Sequence, residues 1–319
     1  IVEKSTVPVE TGIWVERTIR NSLKRKIPFD VASNPEFLRE GQAVKDFMNP
    51  DRVVLGVESK RAEKILREIY KPLKASLVVT DIKSAEIIKH ASNSFLSMKI
   101  SFINMISVLS EKVGADVVRI AEGIGQDKRI GQSFLNAGVG FGGSCFGKDL
   151  AAFIDIAEKA GANFQLLKEV QRINQLQRTL FVKKIEEAVW NLRGKTIGIL
   201  GLSFKPETDD LRDAPAVDVI HALQKEGAVV RTYDPAAMEK ARALLNGVEF
   251  CKDPYEAGRG ADCLVVVTEW KAFRTLNLKR MKSLMAHPVI VDGRNLFDPD
   301  QIRKDGFRYF SIGRPSLAS

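Results

Sequence analysis

A chain of 319 residues in which 45% of the side chains are hydrophobic is long enough for two domains with buried cores and too apolar for disorder. It has no apolar run near the roughly 18 to 20 residues that span a bilayer and no signal peptide, so we expect a cytoplasmic protein without membrane contacts. The formal net charge is +9, but the basic residues are scattered. The densest cluster, Lys24-Arg25-Lys26, has no adjacent aromatic side chain, which favours small phosphorylated ligands over nucleic acid.

In the first part of the chain, residues 1–2 have the pattern of the end of a buried strand. We predict a helix over residues 9–23 and a strand over 29–32. Pro35 disfavours helical angles at the residue before it, which predicts a turn at this point.

The central part is predicted to be helical. Apolar residues recur every three or four positions over residues 84–113, which predicts a long helix with a buried apolar stripe formed by Ile88, Ala91, Phe95, Met98, Phe102, Met105, Leu109 and Val113. Further apolar residues widen the stripe, as expected at a domain junction or a dimer interface. A shorter helix is predicted over residues 117–123, a glycine-rich loop over 138–147 and renewed helical structure over 150–190.

From about residue 192 short β-branched or aromatic runs alternate with helical stretches such as residues 217–225. This alternation predicts a parallel, doubly wound sheet with its ligand crevice at the carboxyl ends of the strands. The predicted strands cover residues 196–204, 229–233, 263–268, 289–292 and 309–312. The domain boundaries that we expect divide the chain into residues 1–80, 81–191 and 192–319.

The glycine-rich loop is the segment with the most evident chemistry. It contains five glycines in ten residues, together with Cys145, Lys148 and Asp149. Glycines at this density allow a backbone to approach a ligand closely, and a neighbouring cation such as Lys148 would favour the reactive thiolate. A flexible loop with an incidental cysteine would have the same composition.

The three cysteines, Cys145, Cys251 and Cys263, are too few for a disulfide framework. Their wide spacing also lacks the close Cys and His pairs of zinc sites, so we expect no bound metal. Any cysteine chemistry should therefore be that of a single thiol.

Five segments in order resemble the UDP-glucose 6-dehydrogenase family: Ser5-Thr6-Val7-Pro8, Asn34-Pro35-Glu36-Phe37-Leu38-Arg39-Glu40-Gly41, Lys89-His90-Ala91-Ser92-Asn93, the Cys145 loop and Gly201-Leu202-Ser203-Phe204-Lys205. The resemblance implies an α/β fold with a Rossmann-type NAD domain, a central long-helix region and a C-terminal Rossmann-like doubly wound domain. It also implies a two-step oxidation of UDP-glucose to UDP-glucuronate with NAD as the hydride acceptor. Dehydrogenases of GDP-mannose or UDP-N-acetylmannosamine share this scheme and stay open as alternatives.

The resemblance assigns catalytic roles residue by residue. Cys145 matches the nucleophile that forms a thiohemiacetal and then a thioester. Lys89 matches a lysine that stabilises oxyanions, and Asn93 stands four residues later on the same predicted helix face. Asp149 and Thr6 match a pair that activates a water molecule. Glu36 resembles the general base for thioester hydrolysis, with Glu40 as a second candidate.

Binding positions follow in the same way. The resemblance implies that the nucleotide sugar is bound by Phe37, Leu38, Glu40, Asn136, Phe141, Gly142, Phe204, Lys205 and Arg294. Arg129 matches an arginine that reaches a neighbouring subunit's sugar, which implies a homodimer. NAD contacts are implied for Thr6, Glu40, Lys148 and Arg212. For an isolated lysine or arginine, a surface ion pair is the alternative interpretation.

The sequence departs from the family in three places. The family's strand, Gly-x-Gly-x-x-Gly turn and helix, which grip the NAD pyrophosphate, are not found near the start of the chain. We therefore expect a chain that lacks the N-terminal part of the NAD domain, either an inactive nucleotide-sugar-binding fragment or a shortened homologue that binds NAD poorly. Glu10 replaces a usual glycine, and Gly147 replaces a usual proline or glutamine and should loosen the Cys145 loop.

Overall fold

A computed structural model describes residues 1–315 and has a mixed α/β fold. It divides into a first unit, residues 1–95 with 148–164, and a second unit, residues 96–147 with those from 165 onward. None of the helices in the described range has both the length and the apolar character required to cross a membrane. The three-domain boundaries expected from the sequence stay predictions.

The first unit is built on a four-stranded sheet. The sheet has the order β1-β2-β3-β4, in which β1 and β2 are parallel, β2 and β3 antiparallel, and β3 and β4 parallel. The bounds of its strands and helices are β1 Val2–Glu3, α1 Thr11–Ser22, β2 Ala32–Ser33, α2 Ala43–Met48, β3 Arg52–Val57, α3 Lys60–Tyr70 and β4 Ser76–Thr80. Its hydrophobic core joins Ala32, Val53 and Leu55 of the sheet to Leu66 and Tyr70 of α3.

The predicted strand at residues 1–2 and the predicted helix at 9–23 are present as β1 and α1, within one or two residues at their ends. The expectation that β1 is buried is wrong, because β1 is an edge strand of the described sheet and Val2 is exposed. The strand predicted over residues 29–32 is shifted to β2, and β3, β4, α2 and α3 were not predicted.

The long central helix, α4, spans Ile82–Val113 as the periodicity predicts. The prediction that its apolar stripe is buried is wrong for much of the stripe. Phe102, Met105, Leu109 and Val113 lie on the outside of the chain, with exposed fractions from 45% at Phe102 to 66% at Val113. The buried face instead carries small polar residues: Ser97, Ser101, Asn104, Ser107 and Ser110.

Serine can replace apolar residues on this buried face because its hydroxyl finds a backbone carbonyl nearby. Ser107 donates to the carbonyl of Asn104 at 2.6 Å, and Ser110 donates to that of Ile106 at 2.8 Å. Ser101 donates to Val170 at 3.0 Å. Small side chains with satisfied hydroxyls let neighbouring segments approach the helix closely without unpaired polar groups.

The second unit contains a six-stranded parallel sheet with the order β10-β9-β8-β5-β6-β7, which is the doubly wound Rossmann order. The strands are β5 Thr196–Leu200, β6 Val229–Tyr233, β7 Val248–Phe250, β8 Cys263–Val266, β9 Val289–Asp292 and β10 Arg308–Ser311. The remaining helices of the chain are α5 Val117–Gly125, α6 Phe146–Lys159, α7 Gln165–Val189, α8 Pro215–Lys225, α9 Met238–Leu244, α10 Pro254–Gly258, α11 Lys271–Arg274, α12 Leu278–Leu284 and α13 Pro299–Lys304.

The central strands of this sheet are buried along their whole length, as expected for strands that pack on both faces. The predicted strand at residues 196–204 ends earlier, at Leu200, because Gly201 has a φ of +93° and turns the chain. The helical region predicted over residues 150–190 is interrupted by a second glycine turn, at Gly161, where φ is +76°.

Candidate active site

Cys145 lies in the glycine loop directly before α6 and is exposed. Its Sγ atom is 3.5 Å from the hydroxyl of the neighbouring Ser144. The other two cysteines, Cys251 and Cys263, are buried in the second unit, and burial raises the pKa of both thiols. Since only a thiolate is strongly nucleophilic, the protein has one cysteine in a position to react with a ligand.

The backbone of the glycine loop packs against the turn at residues 212–213. Gly142 faces the backbone carbonyl of Asp213, and Gly143 donates its N–H to the carbonyl of Arg212 at 2.9 Å. A Cβ atom at Gly143 would lie 2.7 Å from the ring of Phe204. Glycine is therefore required here because the two segments approach more closely than any side chain permits.

Two residues of α7 hold the other side of the loop, and neither was predicted from the sequence. Asn174 accepts the N–H of Phe141 at 2.8 Å and donates to its carbonyl at 3.1 Å. Arg178 donates to the same carbonyl at 2.8 Å. The ring of Phe141 is buried and packs edge-on against Phe146, 5.8 Å between centroids. Phe141 is thus fixed by its backbone and its ring.

Phe204 and Lys205 follow β5 at its carboxyl end, where parallel sheets bind ligands. The N–H of Phe204 donates to the carbonyl of Asp210 at 3.2 Å, and the Lys205 ammonium lies 5.4 Å from the centre of the Phe204 ring. Arg212 is largely exposed and pairs with the Asp210 carboxylate at 2.8 Å. These side chains share one loop of the second unit.

The buried carboxylate of Asp234, directly after β6, anchors that loop. One oxygen accepts the N–H groups of Leu202 and Ser203 at 2.7 and 3.1 Å, the Ser203 hydroxyl at 3.2 Å and the Trp270 ring N–H at 3.1 Å. The other oxygen accepts the N–H groups of Ala236 and Ala237, both at 2.8 Å. Asp234 was not predicted, although its place after the second strand of a Rossmann-like fold is a recognisable signal.

Arg294 is hydrogen-bonded to backbone carbonyls, whereas Arg129 is largely exposed. Arg294 donates to the carbonyls of Val267 at 2.7 Å and Gly140 at 3.3 Å, so its guanidinium braces the glycine loop. The side chain of Arg129 is 89% exposed and pairs with Asp127 at 2.6 Å. Asn136 is also exposed. The ligand contacts expected of these three residues stay predictions.

In the first unit, α4 presents two buried polar side chains on one face. Lys89 is only 4% exposed, and its ammonium lies 3.2 Å from the Glu36 carboxylate and 5.2 Å from the Phe37 ring centre. One turn later, Asn93 donates to Asp149 at 2.6 Å, and both residues are buried. The structure therefore brings together four of the predicted catalytic residues as two adjacent pairs.

Around these pairs the remaining predicted residues of the first unit are more accessible. Lys148 is mostly exposed, with its ammonium 3.5 Å from Asp149. The N–H of Leu38 donates to Glu36 at 2.6 Å, which orients that carboxylate. Glu40 is partly buried, and Thr6 is partly buried in the segment after β1.

Glu86, also missed in the sequence, caps the start of α1. Its buried carboxylate accepts the N–H of Glu10 at 2.6 Å and that of Gly12 at 2.8 Å. Burial raises the pKa of Glu86, an effect that exceeds the lowering by these two hydrogen bonds. Two of the amide groups at the start of α1, those of Glu10 and Gly12, are therefore occupied by a protein carboxylate. A cofactor phosphate in this unit would need other donors, and the exposed ammonium of Lys148 has suitable chemistry.

All three domain models of one family match the chain. The NAD binding domain of the UDP-glucose/GDP-mannose dehydrogenase family matches residues 1–74, its central domain residues 83–176 and its UDP binding domain residues 198–299. The match to the NAD binding domain does not support the expectation that this chain lacks the N-terminal part of that domain.

Individual relatives agree with the family models. The UDP-glucose 6-dehydrogenase TuaD of Bacillus subtilis is 47% identical over 99% of this chain and 69% of its own length. A UDP-glucose 6-dehydrogenase of Rhizobium meliloti is 49% identical over 99% of this chain and 73% of its own. The solved UDP-glucose dehydrogenase of Pyrobaculum islandicum is 40% identical, with a TM-score of 0.90, over 98% of this chain and 70% of that one. The chain therefore belongs to the UDP-glucose/GDP-mannose dehydrogenase family.

Proposed function

We propose that the protein is an NAD-dependent oxidoreductase that converts UDP-glucose to UDP-glucuronate in two oxidations. The observation that carries the proposal is the position of Cys145, the exposed thiol at the end of a loop that the second unit holds on both sides. The names of the relatives that are 47% and 49% identical support UDP-glucose as the substrate.

When bound, NAD would supply the hydride acceptor for each of the two oxidations, one NAD for each. The first converts the C6 alcohol to an aldehyde and releases one proton. The Cys145 thiolate then attacks the aldehyde carbon, and the resulting thiohemiacetal loses the second hydride and becomes a thioester. Water cleaves the thioester, which restores the thiol and releases the carboxylate.

Lys89 is the cation that we assign to the oxyanions formed on the sugar carbon. A buried ammonium acts in a poorly screened environment, where fixed charge stabilises a developing anion much more strongly than in water. Asp149 and Thr6 are the pair that we assign to a reacting water molecule, and Asn93 donates a hydrogen bond to the Asp149 carboxylate. Glu36, oriented by Leu38, is the proposed base for thioester hydrolysis, and Glu40 remains the second candidate.

For NAD, we propose that Arg212 and Lys148 each contact phosphate, because both carry exposed cationic groups. Thr6 and Glu40 complete the proposed cofactor contacts. For the nucleotide sugar, the proposed contacts are Phe37, Leu38, Glu40, Asn136, Phe141, Gly142, Phe204, Lys205 and Arg294. The cytoplasm suits the reaction because a catalytic thiol requires a reducing compartment.

We also propose that the protein is a homodimer in which Arg129 contributes to the partner's site. The exposed stripe of Phe102, Met105, Leu109 and Val113 forms a row of large apolar side chains at helical spacing. Such a row is costly to leave in water, and the same face on a second copy would cover it. The side chain of Arg129 is 89% exposed and pairs with the neighbouring Asp127, so it is accessible to another subunit.

The function is tested by NADH formation with UDP-glucose, GDP-mannose and UDP-N-acetylmannosamine in parallel. We expect two NADH per UDP-glucose and much slower turnover of the other two. Cys145→Ala should abolish formation of the acid, whereas Cys251→Ala, at a buried cysteine, should alter stability but not the stoichiometry. Calorimetry with UDP-glucose and with NAD separately distinguishes an enzyme from a protein that only binds the sugar nucleotide. Binding of UDP-glucose without NAD would contradict the proposal.

The dimer is tested by sedimentation of the wild type and of Leu109→Lys. We expect a dimer for the wild type and a monomer for the variant, because a buried unpaired lysine opposes association. Mixing Arg129→Ala with Cys145→Ala tests the shared site. A mixed dimer would combine an intact Cys145 from one chain with an intact Arg129 from the other, so activity should return on mixing. No recovery would argue against a contribution across the interface.

A further inference from the structure

Asn174 and Arg178 lie one turn apart on α7, and both are buried beside the glycine loop. Between them they satisfy both polar groups of the Phe141 backbone: Asn174 accepts the N–H, and both residues donate to the carbonyl. Phe141 lies four residues before Cys145.

Arg178 connects the glycine loop to a second segment. One guanidinium nitrogen donates to the carboxylates of Asp213, at 2.8 Å, and Asp218. The second terminal nitrogen of the guanidinium, Nη2, donates to the carbonyls of Phe141 and Asp213, at 2.8 and 3.2 Å. A planar guanidinium presents its donors in a fixed geometry, so one side chain sets the distance between the two segments.

The turn at residues 212–213 is the second segment that contacts the glycine loop. Gly143, two residues before Cys145, donates its N–H to the carbonyl of Arg212. The backbone of Asp213 lies against Gly142. The loop is therefore held between α7 and the turn at residues 212–213. Gly147 belongs to the same arrangement, because a Cβ there would lie 3.1 Å from the Asp213 carboxylate. The loosening expected at Gly147 stays a prediction.

We propose that Asn174 and Arg178 are positioning residues that fix Cys145 for its attack on the aldehyde carbon. This inference rests on the proposed function of Cys145 and deepens it. Attack by a thiolate requires the reacting atoms to meet within a narrow range of distance and angle, and a displacement of about 1 Å can cost about 100-fold in rate. A loop of small residues supplies no such rigidity itself, so the helix supplies it.

The test compares Arg178→Met and Arg178→Lys with the control Arg172→Met, which removes an exposed arginine of the same helix. The fold should survive Arg178→Met, since Asp213 and Asp218 are 42% and 46% exposed and stay hydrated. Phe141 also keeps its bonds to Asn174. Folding is verified by counting reactive thiols, because the buried Cys251 and Cys263 react only after unfolding.

In a single-turnover experiment, the proposed function predicts that NADH forms in two phases and that the second phase depends on Cys145. We expect Arg178→Met to slow the second phase about 100-fold relative to the wild type while changing the first much less. Arg178→Lys should recover part of the rate, because one charge remains but the guanidinium geometry is lost. Arg172→Met should leave both phases within twofold. Equal slowing of both phases, or amplitudes that merely follow the folded fraction, would overturn a positioning role.

A second measurement does not depend on turnover. If the two side chains hold the loop, Arg178→Met should let a thiol reagent modify Cys145 several-fold faster, with one thiol still reacting per folded chain. An unchanged modification rate would overturn the inference even if the enzyme activity is confirmed. If the wild type forms no NADH, the proposed function fails, and faster modification of Cys145 would still establish the restraint of the loop by Arg178.

Discussion

Gly140 provides the most direct test of the packing around the glycine loop. Its φ is +102°, and a Cβ atom there would lie 2.6 Å from the side-chain oxygen of Asn174. In Gly140→Ala, an unfavourable backbone conformation costs about 1–3 kcal/mol. The oxygen must also move away by several tenths of an ångström, which weakens its bond to the Phe141 N–H, and an unsatisfied buried donor costs about 1–3 kcal/mol. We therefore expect the free energy of unfolding to fall by about 2–6 kcal/mol.

Trp270 allows this loss to be measured in the second unit. It is the buried tryptophan of the three in the chain, whereas Trp14 and Trp190 are exposed, so the fluorescence change in urea should report mainly its surroundings. Gly123→Ala is the control, because nothing lies within 4 Å of the added Cβ and its φ is not positive. Alanine should stabilise α5 there by roughly 0.5–1 kcal/mol. A Gly140→Ala variant that unfolds at the wild-type urea concentration would refute the packing argument.

Three further predictions concern charge and reactivity. Lys89→Met should lower kcat by about 10²–10³-fold, because the cation that stabilises the oxyanion is lost. The control is Lys83→Met, at an exposed lysine of the same helix, which should leave kcat near the wild-type value. A loss of kcat of threefold or less in Lys89→Met would contradict the role. Because burial raises the pKa of Glu86, this side chain keeps its proton to a higher pH in the folded state than in the unfolded state. Its contribution to stability is therefore full below the ordinary glutamate pKa and is lost as the pH rises through the raised pKa of the folded state. Urea unfolding across acidic and neutral pH should show a steeper decline for the wild type than for Glu86→Gln, and parallel curves would exclude the effect. A thiol reagent should modify one cysteine in the native protein, Cys145, and three after denaturation; more than one in the native state would contradict the burial of the others.

The strands of the second unit were the most predictable part of the fold. Residues 229–233 and 289–292 form strands with the predicted bounds, because each is a short apolar run between clear helical segments. In the first unit, β3 and β4 were missed although they are apolar and β-branched, and α3 was missed although Ala62, Leu66 and Tyr70 recur every four residues on its buried face.

The apolar stripe of α4 shows a different limit. Its period predicted the helix, but period alone cannot say whether an apolar face is covered by the same chain or left outside, as at Phe102 and Leu109. The serines of the opposite face have no apolar signal at all. They are buried because their hydroxyls bond to nearby carbonyls, a contact that exists only in the folded helix.

The residues of the candidate site that lie in the family-like segments were predicted from the sequence. The residues that hold the glycine loop from a distant part of the chain were missed. Lys89 and Glu36 lie in two of the segments that resemble the family, and the structure pairs them at 3.2 Å. Asn174 and Arg178 are more than 30 residues from the loop that they hold, and on an amphipathic helix they look like ordinary surface residues. Long-range support of this kind depends on packing, which one sequence does not display.

The hydrogen bonds that Asp234 accepts distinguish the C-terminal sheet from that of a dinucleotide-binding domain. In dinucleotide-binding sheets, the carboxylate after the second strand receives the ribose hydroxyls of the adenosine half. Here protein donors already occupy both of its oxygens. Redesigning this domain for a dinucleotide would first have to release that carboxylate, and each donor left unsatisfied in the interior would cost about 1–3 kcal/mol. The sheet thus has the strand order of a dinucleotide-binding domain, whereas the acidic residue after its second strand is bonded within the protein itself.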